Sequence, residues 1–600
     1  MDQFPKFLQE LNPNVYLSDN YLVLDFETTN KDHGSAIDPE NKLVCAVWSY
    51  RGKTKRSSTD CESLIKDIKR ADFIVAHNAK FELQWLYRSG IEAGSVLVYD
   101  TLLAAYCQNG NLKRPLDLGS VAKKYGLGEK HSYVSTLIKG EVCPSEIPLS
   151  RLLAYCQQDV ELTERVFLLQ RQEMLESGLL PVLFTRCLTT LVLADIEANG
   201  MWLDKEAVRK EYNEKLELSR EVLADLHEIT GGINPKSPKQ VAEFLYDNLK
   251  FEELHDYKGN PIRTETGGRK TGEDVIIALV PKTKEQKAFI DVFRRFIPLK
   301  LELATLKKLH ECAEAGEPLY AQFNQAITVT HRLSSNGKKY KVQFQNIDRD
   351  FKRLFKARHP DWKMGGADGR QLEFRVAIHL GDDEQGKQDV ANNADIHKFT
   401  AAVVFKKPES KITKSERTEA KASTFRPLFG GSSGTPEIRR YCKAFQTKYK
   451  GIFSTQTSWT FDVLKTKKLV TATGLIFYWP DVEMYDSGYI KGTTEIFNYP
   501  IQSLATADII PISLIYMWYR LKIAKALTFI VNTVHDSIAS EVAPGEDDLW
   551  EDCAKKAFTS DTFEYLSRVY GIKFRTALGV SYNLSSHWDQ GVEKEFDLVA

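Results

Sequence analysis

The chain has 600 residues, with 81 Lys+Arg against 81 Asp+Glu, 42% hydrophobic and 27% charged residues. That length predicts several domains, and that composition excludes a disordered or fibrous chain. Zero net charge excludes a uniformly basic coat protein but not a polyanion binder whose charge is segregated along the chain. Nine cysteines without a C-x-x-C pair predict a reduced, intracellular chain with neither a disulfide framework nor a zinc ribbon. The start, MDQFPKFLQE, has no apolar core and predicts no signal peptide. The apolar run Ile509 to Tyr519 contains Pro511 and stops at Arg520, far short of the roughly 20 residues of a membrane span. A soluble, cytoplasmic protein is expected.

Residues 1–185 alternate apolar runs, YLVL (21–24), KLVCAVW (42–48), FIVAH (73–77) and SVLVYD (95–100), with helical segments. Strands alternating with helices predict an α/β domain. Asp25 and Glu27 follow the first run. Side chains on a strand repeat every two residues, so both carboxylates share a face, and clustered carboxylate oxygens suit a hard divalent cation. HNAKFE (77–82) predicts a helix with Asn78 and Glu82 on one face, four apart. YCQQD (155–159) predicts the same for Tyr155 and Asp159.

Residues 186–330 read as mainly helical. Ser237, Pro238 and Gln240 form a helix start with a Ser cap, Pro in the first turn and Gln three residues on. Lys/Arg outnumber Asp/Glu 11 to 6 over 263–310, 9 to 2 over 331–358 and 12 to 4 over 406–450. Three basic segments on a neutral chain suit a polyanion groove.

GGADGRQLEFRVAIHL (365–380) carries Asp368 and Glu373 ahead of a helical pattern. LTFIVNTVHDSIASEV (527–542) predicts two strands around a tight turn at His535, Asp536 and Ser537. Between them, Arg417, Lys421, Phe425 and Phe429 are spaced by four. On one helix they form a stripe, since each step drifts only about 40°. Such a stripe offers cations to a triphosphate and rings to a sugar and base.

In this order, D-x-E after a strand, N-x-x-x-E after a strand and Y-x-x-x-D on a helix resemble the proofreading 3′→5′ exonucleases of the DEDD type with Tyr in the last motif. DTLLAAY (100–106) and LDLGSVAKKYGL (116–127) extend the likeness. The resemblance implies a ribonuclease H-like domain in which Asp25, Glu27 and Asp159 hold two Mg²⁺ ions and Tyr155 orients the attacking water. The family usually has Asp at the position of Glu82, which is retained as a ligand.

The later motifs resemble motifs A, B and C of the family A DNA polymerases. HRLSS (331–335), QNI (345–347), DIH (395–397) and NYPIQSLATADI (498–509) agree with the blocks around them. With the exonuclease motifs, the likeness covers nearly the whole chain. It implies a right-hand polymerase joining α/β and α+β parts: exonuclease 1–185, thumb 186–330, palm 331–380 and 495–600, fingers 381–494. Asp368 and Asp536 would bind two Mg²⁺ ions, with Mn²⁺ able to substitute. Arg417 and Lys421 would neutralise the incoming phosphates. Phe425 would pack on the sugar, and Phe429 replaces a common Tyr. Glu373 would block a ribose 2′-hydroxyl, favouring DNA over RNA synthesis. His535 would lie near the primer end. Arg332, Asn346, Asn498 and Gln502, with Asn78 in the exonuclease, would contact DNA. Ser537 departs from the usual H-D-E.

The implied partners are primer–template DNA and deoxynucleotides, with a processivity partner left open and no membrane. The exonuclease motif starts at residue 25, which leaves no room for an upstream 5′-nuclease. This expectation points to a phage-like replicative enzyme acting in a host cytoplasm.

Overall fold

A computed structural model describes residues 10–57, 62–128, 133–255, 259–264, 266–432 and 434–599. Cys61 and the first nine residues, on which two sequence expectations rest, lie outside them. The eight described cysteines are all free thiols. The chain divides into two compact units, one of residues 1–201, 320–339 and 343–600, the other of 202–319 and 340–342.

The first unit opens with a five-stranded sheet. Its strands are β1 (Tyr21–Thr28), β2 (Leu43–Tyr50), β3 (Lys53–Ser57), β4 (Phe73–Ala76) and β5 (Val98–Asp100), in the order β3-β2-β1-β4-β5. β1 is central, antiparallel to β2 and parallel to β4. Leu22, Val23 and Leu24 are all buried, as a strand covered on both faces requires of its sequence. Polarity returns only at Asp25 and Glu27. Helices α1 (Lys80–Arg88), α2 (Thr101–Asn109) and α3 (Leu149–Glu176) accompany the sheet. Phe167 of α3 meets Tyr99 and Phe73 edge-on, with ring centroids 4.8 and 5.8 Å apart, which seats α3 on the sheet.

The second unit is mainly helical. α4 (Lys205–Thr230) is capped by Asp204 and ends at Gly231 in the left-handed conformation. α5 (Lys284–Ala315) starts with a reciprocal capping box between Thr283 and Gln286. Phe289, Phe293 and Phe296 recur at the helical period and fill one core with Val222 and Leu226 of α4. Ser237 caps its short helix as the sequence predicts. The Gln240 side chain turns back further, accepting from the Asn234 N–H at 2.7 Å.

The first unit continues with an antiparallel sheet. β6 (Lys363–Gly369) is its centre, followed by α6 (Leu372–Gly381) and α7 (Lys414–Lys421). A small hairpin, β7 (Lys468–Val470) and β8 (Ile476–Tyr478), precedes α8 (Thr493–Gln502) and α9 (Ile510–Ile523). The remaining strands are β9 (Phe529–Val534), β10 (Ser537–Val542), β11 (Leu578–Ser585) and β12 (Lys594–Leu598). The order is β9-β10-β6-β11-β12. Gly365 in β6 is required by packing, because a Cβ there would lie 2.6 Å from the Trp550 ring. A π-helical segment, Ser503–Ile509, joins α8 to α9 into one helix from Thr493 to Ile523. The short apolar run at 509–519 is thus part of a 31-residue helix, but 94% of its most apolar window is buried, as in a core helix.

Candidate active sites

The strand β1 and the helix α3 build the first site. Carboxylate oxygens of Asp25, Glu27 and Asp159 lie within 4.8 Å of one another. Two alternate residues of a strand and one residue of a crossing helix suffice to make this triangle. Tyr155, one helical turn before Asp159, bonds to the Asp159 carboxylate. Its hydroxyl pKa is pushed well up, first by burial and then by Asp159, Glu27 and Asp25. The phenol therefore keeps its proton and acts as a donor.

Glu82 is buried, and its Oε2 has no hydrogen-bond partner. Burial, then the charge of Asp25, pushes its carboxyl well up. It stands beside the triangle without belonging to it. Asn78 does not share a helix with Glu82, contrary to the sequence expectation. It precedes α1 in the left-handed conformation, φ 68°, and is exposed. The cause is Asp100, 22 residues later, whose carboxylate accepts the N–H groups of Asn78 and Ala79 at 3.0 and 2.9 Å. That carboxylate also caps α2, and burial raises its pKa to about 6. Asp100 and Cys156 were missed by reading the sequence for metal ligands. Cys156 Sγ donates to Asp25 Oδ2 at 3.0 Å, and its only sequence signal was its place beside Tyr155.

The second site lies on the antiparallel sheet. Asp368 is near the end of β6, exposed to solvent yet deep among protein atoms. Asp536 occupies the β9–β10 turn after His535, whose φ is 58°. Crowding by protein and then the charge of Asp536 push the Asp368 carboxyl up. Burial likewise raises Asp536, against the opposing charges of Arg332 and Lys352. Two carboxylates close enough for the charge of one to raise the other are a donor set that a hard divalent cation fits.

Glu373 enters the same cluster from α6. Burial and Asp536 raise its pKa, while Arg332 and a hydrogen bond from Gln502 lower it. Arg332 donates to His535 Nδ1. That nitrogen is therefore unprotonated, consistent with an imidazole lowered to about 4 by burial, Arg332 and Lys352. The structure thus unites Asp368, Asp536, Glu373, Arg332, His535 and Gln502. Asn498, on α8, has a buried Oδ1 without a hydrogen-bond partner. Asn346 is exposed, its amide donating to Gln343 at 2.6 Å. Its neighbour Gln345 turns inward instead, accepting the His535 N–H at 3.0 Å and donating to Thr533 O at 2.9 Å. Gln345 fixes the hairpin tip, a role visible only in three dimensions.

The stripe of four does not form on one helix. α7 ends at Lys421, and Phe429 lies in a 3₁₀ turn from Pro427 to Phe429. Pro427 lacks an N–H and cannot continue an α-helix. Hydrogen bonds three residues apart at Ser423, Thr424 and Arg426 tighten the segment first. Arg417 donates to Asp395 at 2.6 Å. Phe425 is half-buried between Phe374 and His397, with ring centroids at 6.2 and 5.8 Å. Lys421 and Asp368 line a cavity of about 440 Å³ with Lys352, Asn583 and Asp589. Lys352 pairs with Asp589 at 2.9 Å.

A sequence model described as DNA polymerase family A matches residues 205–590. DNA polymerase I of Bacillus subtilis is 29% identical over 562 residues, 88% of this chain and 59% of that protein. DNA polymerase I of Aquifex aeolicus is 28% identical over 563 residues, 87% of this chain and 88% of that one. The chain thus spans 59% of the length of the first of these relatives. Among solved structures, the POL domain of Pol1 from M. smegmatis, in complex with DNA primer-template and dNTP, is similar with TM-score 0.78 at 20% identity. That match covers 98% of each chain and is a likeness of fold.

Proposed function

Because the chain belongs to DNA polymerase family A, we propose that it is a template-directed DNA polymerase that extends a primer 3′ end and proofreads with a 3′→5′ exonuclease. The observation that carries this reading is the convergence of Asp368, Asp536, Glu373 and Arg332 on one cleft inside the matched region. The exonuclease half rests on the carboxylate triangle of Asp25, Glu27 and Asp159. The proposed layout is a ribonuclease H-like domain over 1–185, a thumb over 186–330, a palm over 331–380 and 495–600, and fingers over 381–494.

Mg²⁺, or Mn²⁺ in its place, bound by Asp368 and Asp536 and by Asp25, Glu27 and Asp159 beside Glu82, supplies Lewis-acid stabilisation of entering and leaving oxygens. The chain's own groups do the rest. Arg417 and Lys421 offset charge on the triphosphate. Phe425 packs against the sugar, with Phe429 one turn on. Glu373, steadied by Gln502, fills the space of a ribose 2′-hydroxyl. Arg332, Asn498 and Gln502 contact the terminal pair through minor-groove acceptors, which vary little with sequence, and Asn346 contacts DNA nearby. His535 lies at the primer end. In the exonuclease, Tyr155 retains its proton and orients the attacking water, and Asn78 contacts the strand being shortened.

A labelled primer–template incubated with Mg²⁺, with and without deoxynucleotides, tests both halves. Extension with nucleotides and shortening without them, faster from mismatched ends, is the expected result. Shortening alone removes the polymerase reading, and extension alone removes the exonuclease.

A further inference from the structure

His331, immediately before Arg332, is 2% exposed and has φ 64°. A side chain other than Gly in this region costs on the order of 1 kcal/mol and persists only where surroundings hold it. Here the holding contacts come from the far end of α2. The Tyr106 ring stacks on the imidazole, with centroids 4.0 Å apart and planes at 26°. His331 Nε2 lies 3.0 Å from Gly110 O. A carbonyl only accepts, so Nε2 carries the proton. Burial, then Arg186, lowers this imidazole to about 3 and keeps it neutral.

The Tyr106 hydroxyl donates to Thr328 O, which also accepts the His331 N–H at 3.1 Å. Thr328 Oγ1 in turn donates to Arg332 O at 2.6 Å. Tyr106 thus closes, from outside, the turn that aims Arg332 at His535. The clamp is itself anchored. Asn111 exchanges two hydrogen bonds with the Tyr478 backbone, at 2.9 and 2.7 Å. Gly110, φ 58°, sits so close to β8 that a Cβ would lie 2.0 Å from Ile476 O.

We propose that Tyr106 and His331 are positioning residues for Arg332, so that segment 106–111 of the exonuclease half sets how stringently the polymerase site tests the terminal base pair. The proposal rests on the function given above. Neither residue touches substrate; both act through the direction of the Arg332 side chain.

The test uses the full chain with Asp25→Ala and Asp159→Ala, so that only extension is read. Extension rates from matched and mismatched primer ends are measured for Tyr106→Leu, Tyr106→Phe, His331→Gly and Arg332→Ala. Tyr106→Leu and His331→Gly are expected to lower the preference for matched ends by about tenfold, equivalent to about 1.4 kcal/mol. Their kcat on matched ends stays unchanged. Tyr106→Phe, which keeps the stack on His331 and loses the hydroxyl that closes the turn, is expected to fall between the parent and Tyr106→Leu. In Arg332→Ala the preference falls alike, and adding Tyr106→Leu lowers it no further. An unchanged preference in Tyr106→Leu overturns the proposal. So does a further loss on top of Arg332→Ala, which a general weakening of the fold would produce. If Tyr106→Leu fails to fold, His331→Asn decides instead, because Asn tolerates the left-handed backbone but cannot stack as a ring. A parent that fails to extend matched ends overturns the functional reading; a failure of this inference leaves the parent active.

Discussion

Asp368 and Ser537 stand directly opposite each other across the antiparallel pair of β6 and β10. A hydroxyl, not a third carboxylate, therefore faces the cleft beside Asp368. It is already committed, because Ser537 Oγ donates to Val534 O at 2.9 Å and closes the hairpin. Ser537→Glu is expected to shift the Mg²⁺ and Mn²⁺ concentrations needed for half-maximal extension by several-fold, at a stability loss of about 1 kcal/mol from the broken hydrogen bond. Shortening should keep its metal dependence. Superimposable extension titrations of the two proteins would deny the position any role.

Glu82 is enclosed beside Asp25, with Oε2 unpartnered. Such an arrangement costs stability unless a cation or its water completes it. Glu82→Ala is expected to slow primer shortening by about 10²-fold, the size expected for disrupting a metal shell, while extension is unchanged. Glu82→Asp, with a carboxylate retained, should fall less. A normal shortening rate in Glu82→Ala would remove the residue from the site.

Phe425 packs between Phe374 and His397 and offers no hydroxyl. On the proposed placement of Phe425 against the sugar, a nucleotide lacking its 3′-hydroxyl would lose an interaction that the protein does not replace. Phe425→Tyr is expected to raise dideoxynucleotide incorporation relative to deoxynucleotide by about tenfold, the equivalent of one hydrogen bond. Equal termination ladders for both proteins would refute this.

Arg186 and Asp508 form a fully buried ion pair at 2.9 Å, and Tyr570 also donates to Asp508 at 3.2 Å. Asp508 lies in the π-helical segment that follows Gln502. Asp508→Ala leaves a buried guanidinium without its counter-charge and is expected to destabilise by about 3–5 kcal/mol. Replacing both residues by apolar side chains of similar volume should recover most of that loss. Thermal unfolding of the single and double variants measures it, and a neutral Asp508→Ala would show the pair to be unimportant.

What the sequence determined by itself was local. β1 puts Asp25 and Glu27 on one face because extended backbone repeats every two residues. Tyr155 and Asp159 meet because a helix repeats every 3.6. The apolar runs on either side of His535-Asp536 made a hairpin, although Ser537, expected in the turn, pairs with Val534 as the first residue of β10. These patterns need only backbone geometry and burial. Tertiary structure decided whatever depended on a distant partner. Asp100 captures the Asn78 and Ala79 N–H groups and so turns Asn78 off the helix that spacing predicted. Pro427 and the tight turns before it break the stripe from Arg417 to Phe429, though the four-residue spacing is intact. Gln345 reaches the hairpin tip across 190 residues, and His331 meets Gly110 across 221. Spacing along a chain says which side chains share a face of one element. Which elements meet is set by the path of the chain through the core, and no local period encodes that path.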